Sequence, residues 1–441
     1  MQNSKAMHGD VTPNWDINEY AARYKGGGKI RRLLEIAQRS SSMKRDAYSL
    51  LVRSLKEESY NTALYQEVCI HARSAGVDPA ECEVDQAWIE KINSHVLARR
   101  SEIERNLQLA KTSVRKDDIR RCHMEKGALL HKGGDFQEAA KCYARALEYT
   151  STQAHKLESN MAIFTASMDA GNMQQARQYI NRIDPSLANV TKNKSRAAYG
   201  IDCMAEGDFK GAARNFLDCD GSLIGTFQEV VSAEDIALYG TLCAAASSTF
   251  VEVQKNVVEN KTFRPLLETV PDLRSLLQRY SPSNSGEFLQ WIDKRRGELS
   301  LDPYLSKQVG KLVGSIVDRI LVQYFKPYRT LQISQVAEKL GIPMLEMEAR
   351  FASLITAKKI AARIDSQEHT LHANIENERE QAIQKVGDIA ATHATNVRQA
   401  ILRLSLLKHK FCVEPPKDSE EAGGPRGNDL GGDMMDDVDG M

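Results

Sequence analysis

One heptapeptide motif returns twice in this chain, and it constrains the fold more than any other feature. Gly134-Asp135-Phe136-Gln137-Glu138-Ala139-Ala140 recurs as Gly171-Asn172-Met173-Gln174-Gln175-Ala176-Arg177 and as Gly207-Asp208-Phe209-Lys210-Gly211-Ala212-Ala213, at spacings of 37 and 36 residues. Nine positions after each glycine stands a large apolar side chain, Tyr143, Ile180 or Phe216. This is the pattern of a helical-hairpin repeat. The glycine permits a tight turn and the Asp or Asn caps the second helix. The small Ala lets that helix approach its partner, and the large residue two turns on fills the seam. Residues 95–220 are therefore expected to form a short right-handed stack of helical pairs.

The rest of the chain also reads as mostly helical. Only 27 Gly and 12 Pro interrupt 441 residues, of which 42% are hydrophobic and 27% charged. That length allows about two to four domains. Residues 1–14 are polar and expected to be disordered, and residues 15–94 should form an N-terminal helical region. In it, Trp15, Ile17, Tyr20, Ala21 and Tyr24 have helical spacing. Gly26-Gly27-Gly28 should break that helix, with a second starting near Lys29 and burying Ile30, Leu33, Leu34 and Ala37. Amphipathic segments follow at 47–55 and 63–75. A long charged helix is expected from about Glu83 to Arg121, with Trp88, Ile92, Val96, Ile103, Leu107 and Val114 on its apolar face.

Residues 221–373 continue as helices up to a polar break at Ser281-Pro282-Ser283-Asn284-Ser285-Gly286. From about 328 the pattern changes. Leu331 to Ile333 suits a short strand, and Ser334 can cap a helix that buries Ile333, Val336, Ala337 and Leu340. A second helix carries Met344, Met347, Phe351, Leu354 and Ile355. Ile360 to Ile364 and Thr370 to His372 make a hairpin. Helix, turn, helix and hairpin form a winged helix. One long helix should then span 374–411, with Ile375, Ile383, Val386, Ile389, Val397, Ile401, Leu404 and Leu407 in a stripe. The acidic, Gly-rich residues 412–441 are expected to be disordered. A winged helix is too small to cover such a stripe, so these residues are assigned to a subunit interface. Leu331, Ile333 and Ile360, at potential edge-strand positions, are assigned with them.

No constellation for catalysis emerges. Gly26-Gly27-Gly28-Lys29 lacks the Ser or Thr that would follow Lys in a phosphate-binding loop, where Ile30 stands. His369 and His372 fall across the wing hairpin without further ligands. No GxSxG motif and no HxH motif with a downstream Asp is present. The eight cysteines have no CxxC spacing, which suits free thiols in a reducing compartment, cytoplasmic or nuclear. No apolar run reaches the length of a membrane span, and the first residues lack the apolar core of a secretory signal. No residue is assigned a catalytic, cofactor-binding or metal-binding role, no cofactor is expected, and the chain is read as a non-enzyme.

Nucleic-acid binding is the more serious rival. Lys+Arg and Asp+Glu both number 59, and within 328–373 six basic residues face five acidic ones. A phosphate-tracking surface needs a larger excess. A second basic run, Arg99-Arg100-Arg105-Lys111-Arg115-Lys116-Arg120-Arg121, is interleaved with Glu102, Glu104, Asp117 and Asp118, as on a solvated or protein-contacting helix face.

A TPR-like arm running into a winged helix and a long terminal helix resembles the PCI-domain family, scaffold subunits of the proteasome lid, the COP-nine signalosome and translation initiation factor three. Three stretches resemble the signalosome branch: residues 17–37 from Ile17-Asn18-Glu19-Tyr20 to Ile36-Ala37, residues 216–218 with 229–244 around Ser232-Ala233-Glu234-Asp235, and Phe263 to Arg274. Ile364-Asp365-Ser366 in the wing matches too. Family members usually carry one Gly followed by Arg where Gly27 and Gly28 stand, segment 40–85 matches poorly, and the acidic tail is not a family feature. The resemblance implies a PCI domain over 221–373 and a non-catalytic scaffold role in removing the Nedd modifier from cullins. Its implied partners are other PCI and MPN subunits and cullin-RING ligases, with no membrane. In that family the isopeptidase chemistry belongs to a different, metal-binding subunit. A paralogous proteasome-lid subunit and a winged-helix nucleic-acid binder of translation initiation are the alternatives.

Overall fold

The computed structural model describes residues 15–180, 182, 189–282, 284–374 and 378–411. The expectations for 1–14, for Ile375 and for 412–441 lie outside the described residues. The chain divides into two units, 1–374 and 375–441.

The first unit opens with α1 (Ile17–Ala22), α2 (Gly26–Arg39), α3 (Lys44–Glu58), α4 (Thr62–Ser74) and the short α5 (Pro79–Cys82). The repeats follow as α6 (Gln86–Thr112), α7 (Lys116–Gly133), α8 (Phe136–Glu148), α9 (Gln153–Asp169), α10 (Met173–Ile180), α11 (Asn189–Glu206) and α12 (Phe209–Leu217). Next come α13 (Ala233–Ser247), α14 (Phe250–Val253), α15 (Arg264–Leu267), α16 (Pro271–Arg279), α17 (Ser285–Leu301) and α18 (Val309–Phe325). The winged helix is β1 (Thr330–Gln332), α19 (Ile333–Leu340), α20 (Met344–Thr356), β2 (Ala362–Asp365) and β3 (Thr370–Ala373). The second unit is α21 (Glu378–Lys408).

The repeat motif does what its chemistry suggests. Gly134, Gly171 and Gly207 all adopt positive φ, at 89°, 72° and 87°, a conformation that a Cβ would strain. Asn172 and Asp208 accept N–H bonds from Gln175 and Gly211 at 3.2 and 3.1 Å. Asp135 occupies the same position without a side-chain cap. Ala139, Ala176, Ala212, Tyr143 and Phe216 are buried. Each repeat helix packs on the next from α6 to α12, and α12 on α13.

Three local expectations are corrected. The long helix expected from Glu83 to Arg121 is two helices, broken at Ser113-Val114-Arg115. The Val114 and Arg115 N–H groups donate to the Lys111 and Ala110 carbonyls, closing α6 with Val114 at φ 53°. Val114, assigned to the apolar face, is 74% exposed.

The glycine run is no connector either: α2 begins at Gly26 rather than Lys29. A Cβ at Gly28 would fall 2.1 Å from the Glu229 carbonyl oxygen, so the helix touches neighbouring backbone there. The Glu58 carboxylate accepts from the Gly26 N–H and from Lys29 Nζ at 3.1 Å. An anion therefore does sit at this glycine-rich helix start, and it is the chain's own carboxylate.

The third correction concerns Ile333, which starts α19 rather than ending β1. Gln332 is the N-cap residue and makes no side-chain cap, so Ser334 does not cap that helix.

Candidate subunit interfaces

The N-terminal helices are joined to the rest of the first unit by a buried polar network. Arg32 on α2 is 1% exposed. Its Nη1 donates to Asp302 Oδ2 at 2.7 Å and Tyr20 Oη at 3.0 Å, and its Nη2 donates to Asp235 Oδ2 at 3.0 Å. The guanidinium lies 4.2 Å from the centre of the Tyr24 ring. The Tyr24 hydroxyl donates to Asp235 at 2.7 Å, and the Tyr239 hydroxyl donates to Asp302. Burial acts first on each group. It pushes Asp235 up and the Tyr20 hydroxyl up to about 12. For Asp302 the Arg32 charge and the Tyr239 hydrogen bond outweigh burial and hold it below the usual carboxylate range. Asp235 also closes a capping box with Ser232 at the start of α13. The network thus unites the 17–37 and 229–244 stretches.

The winged helix presents two sheet edges, in the order β1-β3-β2. Leu331 pairs with Leu371, the Arg329 carbonyl accepts from Ala373, and the Ile333 N–H donates to His369. Antiparallel pairing alternates inward and outward groups. The N–H groups of Thr330 and Gln332 therefore point away from the sheet, as do those of Ala362 and Ile364 on β2.

The three side chains assigned to an interface here do not reach a surface. Leu331, Ile333 and Ile360 are 7%, 0% and 5% exposed and belong to the core that runs from the repeats into the winged helix. Their apolar character serves that core, so contact along β1 would run through its backbone.

Exposure on α21 is the opposite. Ile383, Val386, Ile389, Val397, Ile401, Leu404 and Leu407 are between 41% and 70% exposed. At 3.6 residues per turn they fall within an arc of about 120°. Leu402 and Leu406 add a second apolar face near the end of the helix, and the exposed Phe411 follows it. The stripe reading passed over these two leucines because they break its spacing.

Charges elsewhere are largely paired. On α20, Arg350 meets Glu346 at 2.9 Å and Asp318 at 3.5 Å. In the second basic run, Arg99 pairs with Glu102 and Glu125, Arg100 with Glu104, Arg120 with Glu158 and Arg121 with Asp118. On both surfaces cations and carboxylates are interleaved, so neither presents the continuous row of cations that tracks a phosphate backbone. Among the described residues, no His, Cys, Asp and Glu cluster could hold a metal, and no helix is long and apolar enough to cross a membrane.

A helical-repeat arm entering a three-stranded winged helix defines a PCI-type subunit, and the family models agree. The PCI domain model matches residues 277–374, and that of 26S proteasome subunit RPN7 matches 85–256. The chain is 31% identical over 403 residues to COP9 signalosome complex subunit 1 of Arabidopsis thaliana, covering 90% of each chain. To the subunit of the same name from Emericella nidulans it is 26% identical over 422 residues, covering 92% of this chain and 84% of that one. To 26S proteasome non-ATPase regulatory subunit 6 of Caenorhabditis elegans it is 21% identical over 389 residues, covering 85% and 92%. The chain belongs to the COP9 signalosome complex subunit 1 family.

Proposed function

We propose that this chain is a non-catalytic scaffold subunit of a COP9 signalosome. It supports removal of the Nedd modifier from the cullins of cullin-RING ubiquitin ligases through assembly and substrate contact. The isopeptidase chemistry is left to a metal-binding partner subunit. The apolar arc of α21 carries this reading. Fully burying each of its Ile, Leu and Val side chains contributes roughly 1.5–3 kcal/mol, and helices of other PCI and MPN subunits are the natural cover. Leu402 and Leu406 suit a helix gripped from two sides, as in a bundle. The outward N–H groups of β1 and β2 suit edge-to-edge joining of winged helices. The free cysteines suit a chain that works in the cytoplasm and nucleus.

The test is purification of the tagged full chain from its own cells, beside a variant with Val397→Asp, Ile401→Asp and Leu404→Asp. The wild-type chain should bring PCI and MPN subunits and deneddylating activity with it. The variant should bring neither, with residues 15–374 still folded by circular dichroism. Recovery of proteasome-lid subunits instead would place the chain in that complex, and normal assembly of the variant would remove α21 from the interface.

A further inference from the structure

One surface cavity gathers twice as many cations as carboxylates. It encloses about 560 Å³ between α12, the end of α13, the segment after α14 and α18. Lys210 and Arg214 line it one turn apart on α12, Arg319 comes from α18, and Lys255 comes from a π-helical turn, Gln254–Val258. Lys210, Arg214 and Lys255 have no ion-pair or hydrogen-bond partner among the described residues. Arg319 already donates to the Ser247 and Ser248 carbonyls at 2.8 and 3.3 Å, which fixes its guanidinium in the wall.

Both carboxylates in the lining have hydrogen-bond or ion-pair partners outside the cationic group, and Glu252 also feels the Arg319 and Lys210 charges. Asp218 lies 3.6 Å from Arg196. Glu252 closes the capping box of α14 on the Thr249 N–H at 2.7 Å, and that bond holds it below the usual carboxylate range. Four cations thus face two carboxylates across one concave surface, which leaves an excess of positive charge there.

The π turn is an independent sign of a built site. Such turns are rare and cluster at functional positions. This one is clamped: Gln254 Nε2 donates to the Leu277 and Tyr280 carbonyls, and Val257 is fully buried beneath it. The widened turn carries Lys255 to the cavity opposite α12.

We propose that this cavity takes a phosphoserine or phosphothreonine side chain of a partner protein. Three unpartnered cations converging from two elements match a dianion with three acceptor oxygens better than a single carboxylate. The cavity has more room than one phosphate group fills, and a flanking peptide backbone would occupy the remainder. This reading does not rest on the signalosome assignment, because binding is measured on the isolated chain.

The test is fluorescence anisotropy with a labelled Gly-Ala-pSer-Ala-Gly peptide and its unphosphorylated twin, titrated with the full chain at low ionic strength. One variant carries Lys210→Glu, Arg214→Glu and Lys255→Glu. A control carries Arg105→Glu, Lys111→Glu and Lys116→Glu, the same charge change on another surface. The phosphopeptide should bind saturably, at least about tenfold tighter than its twin, and the cavity variant should lose at least about tenfold. The control variant should lose less than about threefold. Lys255→Gln alone, on an exposed side chain, should weaken binding by about threefold or more, so the proposal stays testable if the triple variant misfolds. Equal binding of the two peptides, or equal loss in the two triple variants, would overturn the proposal. Displacement by free phosphoserine at the peptide's own concentration would overturn the peptide assignment in favour of a phosphorylated small molecule.

Discussion

Arg32 and Asp302 stand 270 positions apart and share a buried ion pair of 2.7 Å. Asp235 completes the arrangement from a third place in the chain. Replacing the arginine alone leaves two buried carboxylates facing no cation. Arg32→Leu should therefore destabilise the chain by about 3–5 kcal/mol in urea titration. Adding Asp235→Asn and Asp302→Asn should restore much of that loss. An additive triple variant, with no recovery, would show that the three groups do not act as a unit.

A pH dependence follows from His123. The residue is 5% exposed and stacks on Tyr149 with ring centres 6.1 Å apart, and its Nδ1 has no partner. Burial first, then Lys111, Arg145 and Lys126, push it below its ordinary value. Its contribution is complete above the unfolded value of about 6.5 and is lost as pH falls toward the folded one, because only the unfolded chain takes up the proton. The urea midpoint of the wild type should drop between about pH 7 and about pH 5.5, and that of His123→Phe should drop less. Equal drops would contradict this account.

Two glycines in helices should respond to alanine in opposite directions. At Gly28 the new Cβ meets the Glu229 carbonyl, which cannot move aside like a side chain, and a loss of about 1–3 kcal/mol is expected. At Gly314, inside α18, nothing lies within 4 Å of that position. Gly314→Ala should stabilise by roughly 0.5–1 kcal/mol. Thermal or urea midpoints of the two variants decide it.

The sheet edge can be blocked without touching the core. Gln332 has φ −79°, within the range of proline, and its N–H points away from β3. Gln332→Pro should keep the winged helix folded by near-ultraviolet circular dichroism while reducing recovery of partner subunits. Unchanged recovery would mean that β1 is not a joining edge.

These residues also mark where the sequence was legible. Gly134, Gly171 and Gly207 announce their turns because positive φ nearly demands glycine, and a fixed spacing repeats the signal. The arc on α21 was legible for a similar reason, since a helical period needs no knowledge of distant partners. Leu331, Ile333 and Ile360 misled because an apolar residue at a possible edge looks the same whether it faces a partner or its own core. The break at Val114 was hidden because valine seldom takes the left-handed conformation and the apolar period runs through it. Nothing local to Arg32 identifies Asp302, so their pairing awaited the fold.

The separation of Arg32 from its two carboxylates also orders events during synthesis. Chains lengthen at about 5–20 residues per second, so α2 is complete for roughly 13–53 seconds before Asp302 has been made. Until Asp235 is made the guanidinium has neither of its buried anions, and until Asp302 follows it has only one. The helices translated first thus reach their final seat only after α17 has followed, and a ribosome stalled between Asp235 and Asp302 would hold a nascent chain whose leading end is formed but not yet anchored.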